Sequence, residues 1–378
     1  MKSLRLVLAV LAVLWTVRVP SRAHDHRGRH FDKINLNIHG QVLDFTHNHG
    51  ADRRIWSPAL CQYRDLYVYL PPGYDPEQTY PLVLYLHGFS QDETYFLDYQ
   101  VPDLDQAIAC GKLPPVIMAA PDGSIKGRPS IHESYSLFAN TKVGNFEDFL
   151  LVDVWNFLVD NFPIRPEPEA HVLAGVSFGG SAAFRLGIEH RDRFKVAIGF
   201  MPAVNLRWVD CHGRYRGKFD PCCWGWREKS RPNEVVGSFF GGLVKFRSKT
   251  MMDHLVPRRG PETIPELSRL NPIELIDATD LKEGELNMFI AYAGRDQFNI
   301  DAQVESFLYL ARDRGLTVGV SYDPNGKHDT ATGRRLFPDA VEWLAPLLIP
   351  YAPPLANDEC SPLENDSQPE LLKKQYSD

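Results

Sequence analysis

The sequence has 378 residues, of which 44% are hydrophobic and 24% are charged, a balance typical of globular proteins that form a large core. Its formal net charge of −7 offers no basic surface, so nucleic acid and anionic membranes are not expected partners.

The N-terminus has the pattern of a secretory signal peptide. Lys2 and Arg5 precede an apolar run that ends at Val17, and small residues up to Ala23 offer a cleavage site. The run is shorter than the roughly 20 apolar residues of a membrane span. We therefore predict a signal peptide over residues 1–23 and an exported protein, secreted or periplasmic, with no membrane attachment after cleavage. An uncleaved anchor helix is the alternative.

Alternating or continuous apolar runs predict strands along most of the chain, and apolar residues at helical spacing predict helices between them. We expect residues 24–32, which are polar, to be a loose segment. The predicted strands cover residues 38–45, 64–70, 82–86, 116–120, 171–176, 196–200, 287–293 and 317–322, and the clearest helices cover 145–161, 301–314 and 336–348. This alternation predicts an α/β fold with a doubly wound, mostly parallel sheet, whose site lies beyond the carboxyl ends of the strands.

Six cysteines fit an oxidising compartment. Three of them cluster near residue 220 and the other three are scattered along the chain. Because three is odd, pairing of all six requires at least one bridge between the two sets. A bond between neighbouring cysteines would be strained, and separate partners are expected for the adjacent pair. The spacing matches no zinc motif, and the connectivity stays open. The cluster is Cys211, Cys222 and Cys223, and the scattered residues are Cys61, Cys110 and Cys360.

One predicted turn carries the pattern Gly175-Val176-Ser177-Phe178-Gly179 between a strand and a helix. A serine at such a turn has a strained backbone and an exposed Oγ, and the glycines leave room where no Cβ fits. The following helix directs free N–H groups and its positive dipole end at the reacting centre. We identify Ser177 as the candidate nucleophile, and a tight turn with an incidental serine is the alternative.

A base and an orienting acid for Ser177 follow later strands. His328 comes after the last predicted strand, and its neutral imidazole would take the serine proton near neutral pH. Asp296 lies three residues past the strand at 287–293 and would hold the tautomer of His328. Three other carboxylates compete with Asp296. Asp323 is the second choice, Asp301 is expected to cap a helix, and Asp329 is too close to His328 in sequence.

The segment His87-Gly88-Phe89 follows the strand after which an oxyanion-binding N–H group is expected. The backbone N–H groups of Phe178 and Phe89 are therefore the candidate oxyanion hole. We expect His87 to be a structural residue of this loop.

Residues 203–271 interrupt the alternation and are rich in aromatic and basic side chains. We predict an insertion over the active-site edge of the sheet. Trp208, Trp224 and Trp226 are its candidate substrate-binding residues, because flat indole faces stack on sugars or aromatic acids. The alternative is that these rings form a small core of the insertion itself.

Together these motifs resemble the esterase D-type family of α/β-hydrolases, which includes feruloyl and acetylxylan esterases, S-formylglutathione hydrolases and mycolyltransferases. The resemblance spans roughly residues 64–345, and the chain order Ser, Asp, His is that of the α/β-hydrolases. This sequence differs from the family pattern at Val176, where His is common, and in the insertion. The identity of the substrate therefore stays open. The resemblance rests on Leu84–Gly88, Pro121–Gly123, Phe146–Leu150, Gly175–Gly180, Asp296 and His328.

This resemblance implies an α/β-hydrolase catalytic domain over 24–349. The Pro-rich and acidic composition of residues 350–378 predicts a mobile tail. The resemblance also implies a serine carboxylesterase that forms an acyl-enzyme and needs neither a cofactor nor a metal. Export favours small-molecule or polysaccharide esters, such as feruloyl or acetyl esters, over cytosolic thioesters. Acyl transfer to a sugar or lipid acceptor and a non-catalytic glycan-binding protein are the alternatives. The oligomeric state is unknown.

Overall fold

The computed structural model describes residues 23–132, 135–239 and 242–354, and the side chains from residue 30 onward. Its strands fall into one large sheet and four short hairpins. In chain order they are β1 Gln41–Phe45, β2 Ile55–Ser57, β3 Gln62–Arg64, β4 Leu66–Leu70, β5 Leu82–Leu86, β6 Ile117–Pro121, β7 Asn140–Thr141, β8 Gly144–Asn145, β9 His171–Val176, β10 Val196–Phe200, β11 Trp208–Asp210, β12 Trp224–Trp226, β13 Val235–Phe239, β14 Val244–Arg247, β15 Asn287–Ala293 and β16 Val318–Asp323.

The helices cover both faces of the large sheet. A π-helical stretch, Phe149–Val154, joins α4 to α5, and short 3₁₀ turns cover Pro168–Ala170 and Ile349–Tyr351. The α-helices are α1 Ala23–Leu36, α2 Thr94–Tyr99, α3 Val101–Ala109, α4 Phe146–Asp148, α5 Trp155–Asn161, α6 Phe178–Glu189, α7 Ser248–Met252, α8 Thr263–Arg269, α9 Pro272–Ala278, α10 Ile300–Asp313 and α11 Thr330–Leu348.

The large sheet has eight strands in the order β1-β4-β6-β5-β9-β10-β15-β16. β4 runs antiparallel to β1 and β6, and every other pairing is parallel. This confirms the predicted α/β fold with a mostly parallel sheet, which is the α/β-hydrolase fold. The carboxyl ends of the parallel strands share one edge, and the loops that follow them therefore meet there.

Strand β5 shows how the sequence builds two cores. Its five residues are all buried, and alternate side chains point to opposite faces of the sheet. Leu84 and its neighbours two residues away pack with α6 and α10 on one face. Val83 and Tyr85 pack with α3 and α11 on the other. A continuous apolar run is therefore needed, because neither face of this strand meets solvent.

Two expectations about helices were wrong. Residues 24–32, expected to be loose, belong to helix α1, because Phe31 and Ile34 pack on the core one helical turn apart. The last helix begins at Thr330 rather than near Leu336, because the Asp329 carboxylate accepts a hydrogen bond from the Thr332 N–H and caps it. The polar first turn of this helix concealed its start.

The structure answers part of the question of cysteine pairing that the sequence left open. Cys211 and Cys223 form a disulfide with each other, so the cluster closes on itself. Cys61 and Cys222 are free and exposed, so the condition that all six cysteines pair is not met. The bridge joins two residues that are 12 positions apart in the segment between β11 and β12, and it stabilises the insertion locally.

Both predicted ends of the chain lie largely outside the described residues. Of the predicted signal peptide, residues 1–22 lie outside the described residues and only Ala23 lies within them. Of the predicted tail, residues 355–378 lie outside them. Among the helices of the described ranges, none is long and apolar enough to cross a membrane.

Candidate active site

Ser177 occupies a sharp turn between β9 and α6. Its backbone has φ 56° and ψ −117°, a conformation that residues other than glycine rarely adopt. The Ser177 N–H donates to the Phe200 carbonyl oxygen at 2.8 Å. A Cβ on Gly179 would lie 1.9 Å from the Leu86 carbonyl oxygen, so only glycine lets the turn approach β5. The strain is held by the sheet on one side and the helix on the other.

The structure brings Ser177, His328 and Asp296 together. His328 Nε2 lies 3.0 Å from Ser177 Oγ, and His328 Nδ1 lies 2.6 Å from Asp296 Oδ2. The Asp296 side chain is fully buried, whereas that of His328 is 13% exposed. The three side chains therefore form the hydrogen-bonded chain that a nucleophile, a base and an orienting acid require.

The loops that carry Asp296 and His328 are tied to each other. The Phe298 N–H donates to Asp296 Oδ1 at 2.7 Å, which leaves Oδ2 to face the imidazole. The His328 N–H donates to Gln297 Oε1 at 2.8 Å. The sequence did not single out Gln297, because a glutamine that bonds a backbone N–H has no sequence signature.

The competing carboxylates have other partners. Asp323 accepts two hydrogen bonds from Arg335, and Asp329 caps α11. Asp301 lies in the first turn of α10, where Asn299 rather than Asp301 is the capping residue. None of these carboxylates is hydrogen-bonded to His328 among the described residues, which leaves that position to Asp296.

The loop after β5 lies against the nucleophile turn. A Cβ on Gly88 would be 3.3 Å from Ser177 Cβ, so the backbone that leads to Phe89 passes beside Ser177. Gln91 fixes this loop, because its Oε1 accepts the Gly88 N–H at 2.7 Å. Phe178 opens α6, so its N–H has no acceptor within that helix. Two backbone donors are thus available near Ser177.

His87 is buried at the base of the same loop. Its Nε2 accepts the Gly123 N–H at 2.9 Å, and Nδ1 therefore carries the proton and donates to the Gly88 carbonyl oxygen at 3.0 Å. Burial lowers the pKa of His87, and the neutral ring fits these two bonds. The side chain does not reach Ser177 through any hydrogen bond, which matches the structural role expected for it.

Two cavities meet at Ser177. The first has a volume of about 250 Å³ and contains Ser177, His328 and Phe89 in its lining. The second, of about 80 Å³, lies under the insertion beside Ser177, Phe178 and Val236. Each cavity can hold one side of a molecule whose reacting atom lies at Ser177 Oγ.

The insertion reaches the first cavity through phenylalanines and a methionine. Phe239 and Phe246 of the β13–β14 hairpin and Met251 of α7 line it together with Phe298. The Phe298 and His328 rings are 5.0 Å apart, so this aromatic wall adjoins the imidazole. The predicted position of the insertion over the sheet edge therefore agrees with the structure. The phenylalanines were missed because nothing in the sequence separates them from core residues.

The three tryptophans proposed as substrate-binding residues lie elsewhere. Trp208 is fully buried and donates from Nε1 to the Tyr215 carbonyl oxygen at 3.0 Å. Trp224 and Trp226 pack against each other with ring centroids 5.2 Å apart. None of the three lines either cavity at Ser177. Their arrangement matches the alternative, a small core of the insertion.

Asp301 sits in an unfavourable electrostatic position. Burial, followed by the charge of Asp296, raises its pKa from 3.8 to about 6. Between these two values the unfolded chain loses this proton while the folded chain keeps it, so stability falls as pH rises through that window.

Asp301→Asn is therefore expected to raise the melting temperature above pH 6 by about 2 °C or more, with a difference that disappears near pH 4. Asp323→Asn is the control of opposite sign, because hydrogen bonding from Arg335 lowers the pKa of Asp323. Loss of that carboxylate should destabilise the protein at neutral pH. Melting curves of both variants and the wild type across this pH range make the measurement, and equal shifts for both variants would contradict the assignment.

Fold and site together define the class. A serine on a strained strand–helix turn, bonded to a histidine and a buried aspartate on a mostly parallel sheet, is the arrangement of a serine hydrolase with the α/β-hydrolase fold.

The family follows from comparison with known proteins. The model of the Esterase family, described as "Putative esterase", matches residues 57–252, just over half of the chain, and the chain belongs to this family. Two curated relatives from Mycobacterium tuberculosis strains, Esterase MT1326 and Esterase Rv1288, are each 26% identical over 177 residues. That match covers 44% of this chain and 36% of each relative.

Solved structures share the fold at low identity. A ferulic acid esterase is 15% identical with a TM-score of 0.55, covering 82% of this chain and 100% of that structure. An S-formylglutathione hydrolase from Agrobacterium tumefaciens has the same identity and TM-score and is covered to 96%. Serine hydrolase FphF of Staphylococcus aureus is 17% identical with a TM-score of 0.54, covering 81% of this chain and 98% of that one.

Proposed function

We propose that this protein is an exported serine carboxylesterase in which Ser177 attacks the ester carbonyl carbon. The observation that carries the proposal is the position of His328, hydrogen-bonded to Ser177 at 3.0 Å and to buried Asp296 at 2.6 Å. A serine hydroxyl is a weak nucleophile until a base takes its proton, and a neutral imidazole is suited to that step.

In the acylation step, His328 Nε2 accepts the Ser177 proton as Oγ bonds to the carbonyl carbon. The carbonyl oxygen then carries negative charge, which the N–H groups of Phe178 and Phe89 would stabilise. Collapse of this intermediate breaks the bond to the alcohol oxygen, and the imidazolium returns its proton to the leaving alcohol. Asp296 holds the imidazole in the required tautomer and stabilises its transient positive charge.

In the deacylation step, His328 takes a proton from water, and the resulting hydroxyl attacks the acyl carbon. The bond to Ser177 Oγ breaks, and the imidazolium reprotonates this oxygen. The products are a carboxylic acid and the free enzyme, so no cofactor or oxidant enters the balance. The same backbone donors and the same orienting acid serve both halves of the reaction.

The shape and polarity of the first cavity favour esters with a bulky acyl group. The aromatic wall of Phe239, Phe246 and Phe298 suits a flat hydrophobic acyl chain. A polar region of the same cavity contains Asp103 and Arg334, which form a bidentate ion pair and can bind hydroxyl groups. These features, and the ferulic acid esterases among the structural neighbours, favour feruloyl esters of polysaccharides over acetyl esters.

A direct test combines labelling with substrate screening. A fluorophosphonate probe should label the wild type and leave a Ser177→Ala variant unlabelled. Turnover of p-nitrophenyl, feruloyl and acetylxylan esters then identifies the acyl group. Failure of the probe to label the folded wild-type protein would contradict the proposed nucleophile and would favour a non-catalytic glycan-binding role.

The second cavity supports acyl transfer as an alternative reaction. An acceptor alcohol bound beside Ser177 and Phe178 could replace water in the deacylation step. Product analysis with and without a sugar or glycerol acceptor separates the two reactions. Accumulation of a new ester in place of the free acid would identify a transferase, whereas unchanged acid release would identify a hydrolase.

Phe246→Ala is expected to reduce kcat/KM on a feruloyl ester about tenfold and on p-nitrophenyl acetate by less than about threefold. The physical reason is that the lost ring removes roughly 1–3 kcal/mol of contact with a bulky acyl group, which acetate does not make. Steady-state kinetics on both esters give the comparison.

Trp226→Ala is the matched control, because it removes another aromatic ring of the insertion that does not line either cavity. It should leave the ratio of the two kcat/KM values unchanged. A change of that ratio in the Trp226 variant alone would return the substrate-binding role to the tryptophans.

A further inference from the structure

Three carboxylates are buried together below the loop that carries Phe89. Asp65 and Glu93 are each 2% exposed, and Asp122 is fully buried. One carboxylate oxygen from each lies within 4.8 Å of the other two. They come from three separate parts of the fold: the turn between β3 and β4, the residue before α2, and the residue after β6.

The protein groups around this cluster satisfy it only in part. His47 contacts Asp65 Oδ1 through its N–H and its ring Nδ1, and Asn48 Nδ2 donates to Glu93 Oε1 at 2.7 Å. Glu93 Oε2 is buried and has no hydrogen-bond partner among the residues that the structure describes. A bare carboxylate oxygen inside a protein is costly unless a cation or a donor faces it.

The charges do not balance either. Arg64 is the cation in contact with the cluster, and its guanidinium nitrogen lies 2.8 Å from Asp122 Oδ2. With the His47 ring neutral, three ionised carboxylates and one guanidinium leave a net charge of −2 in a buried site. A fourth buried carboxylate, Asp92, raises this negative potential further. Uncompensated buried charges cost several kcal/mol each, so this charge has to be reduced either by a bound cation or by a proton.

We propose that Asp65, Glu93 and Asp122 bind one divalent cation, and that the cation is Ca²⁺. A charge of +2 balances the remaining −2, and Glu93 Oε2 supplies a free ligand atom. The three ligands are all carboxylate oxygens, which hard cations prefer, and Ca²⁺ tolerates the irregular geometry that scattered loops provide. Thiolate or imidazole ligands, which would favour zinc, are not offered by these three residues.

The position of the site indicates its effect. Glu93 follows Phe89 by four residues, and the Gly123 N–H next to Asp122 donates to His87. A bound cation would therefore join β4, β6 and the start of α2 beneath the loop that presents the Phe89 N–H. Its role is structural, and it takes no part in bond making at Ser177. This differs from the sequence-based expectation of a protein without metal.

Protonation of Glu93 is the competing way to reduce the charge. Burial and the neighbouring carboxylates raise the pKa of Glu93 well above its usual range. The two explanations differ in their response to Ca²⁺. A protonated cluster is indifferent to the ion, whereas a calcium site is stabilised by it in proportion to occupancy.

The experiment uses full-length protein treated with EDTA and then dialysed. Calorimetric titration with CaCl₂ should show one bound ion, and saturating Ca²⁺ should raise the melting temperature by about 5 °C or more. Glu93→Gln should lower Ca²⁺ affinity at least about 100-fold and abolish the thermal shift. Asp65→Asn should do the same, and it serves as a second variant if Glu93→Gln folds poorly. Glu305→Gln, which removes a half-buried carboxylate of α10 outside the cluster, should bind Ca²⁺ normally.

Three results would overturn the proposal. One is an unchanged melting temperature and no binding heat in the wild type at about 10 mM Ca²⁺, which would leave protonation as the explanation. Another is full Ca²⁺ affinity in both Glu93→Gln and Asp65→Asn, which would move the ion elsewhere. A thermal shift with MgCl₂ but none with CaCl₂ would overturn the assignment to calcium. Each result is independent of ester turnover.

Discussion

Replacing Ser177 by alanine is expected to lower kcat on p-nitrophenyl acetate at least ~10⁴-fold, because the acyl-enzyme can no longer form. The substitution removes a single oxygen whose hydrogen bond is to His328. Alanine keeps the Cβ and the strained backbone of the turn, so the melting temperature should stay within about 2 °C of the wild type. Burst-phase and steady-state kinetics on the same ester measure the loss.

Ser230→Ala is the matched control for this variant. Ser230 lines the second cavity, but no hydrogen bond connects it to His328 in the described structure. Its loss should change kcat by less than about threefold. Wild-type turnover by the Ser177 variant would place the nucleophile on another residue and would contradict the proposed mechanism.

Buried parallel strands were the most predictable elements of the fold. The predicted and observed bounds agree for β5, β10 and β15, because strands covered on both faces appear as continuous apolar runs. Helix α1 was not predictable in this way. Its sequence is mostly polar, and its helical state depends on Phe31 and Ile34 packing against a core formed by distant residues.

In the site, too, some residues were predictable from the local sequence, whereas others are placed only by tertiary packing. Ser177, Asp296 and His328 were predictable because each follows a strand, and a parallel sheet brings such positions to one edge. The cavity wall was not predictable. Phe246 and Phe298 meet only because the β13–β14 hairpin folds over the loop after β15, with ring centroids 5.7 Å apart. The sequence alone does not distinguish an aromatic residue that lines a cavity from one that fills a core.

The insertion packs closely against the loop that carries Asp296 and Phe298. A Cβ on Gly237 would lie 2.3 Å from the Phe298 ring, so the hairpin packs directly on the residue beside His328. Tyr215 ties the rest of the insertion to the same loop, because its hydroxyl donates to the Phe298 carbonyl oxygen at 2.6 Å. The loop that carries Asp296 therefore also positions the insertion. The shape of the cavity thus depends on the same loop that holds the orienting acid.

His328→Ala is expected to reduce kcat/KM at least ~10³-fold, because no group then takes the Ser177 proton. Steady-state rates with p-nitrophenyl acetate at neutral pH measure the loss.

Added imidazole separates a base from a merely structural histidine. Truncation of His328 leaves space next to Ser177 in a cavity open to small molecules, so free imidazole can replace the missing ring and restore part of the activity. His212→Ala, which removes an exposed histidine of the insertion, should keep wild-type rates and show no response. Wild-type turnover by the His328 variant without added imidazole would mean that another group is the base. Partial recovery that grows with imidazole concentration would support proton transfer at His328 Nε2, because a structural defect would not be repaired by a small base.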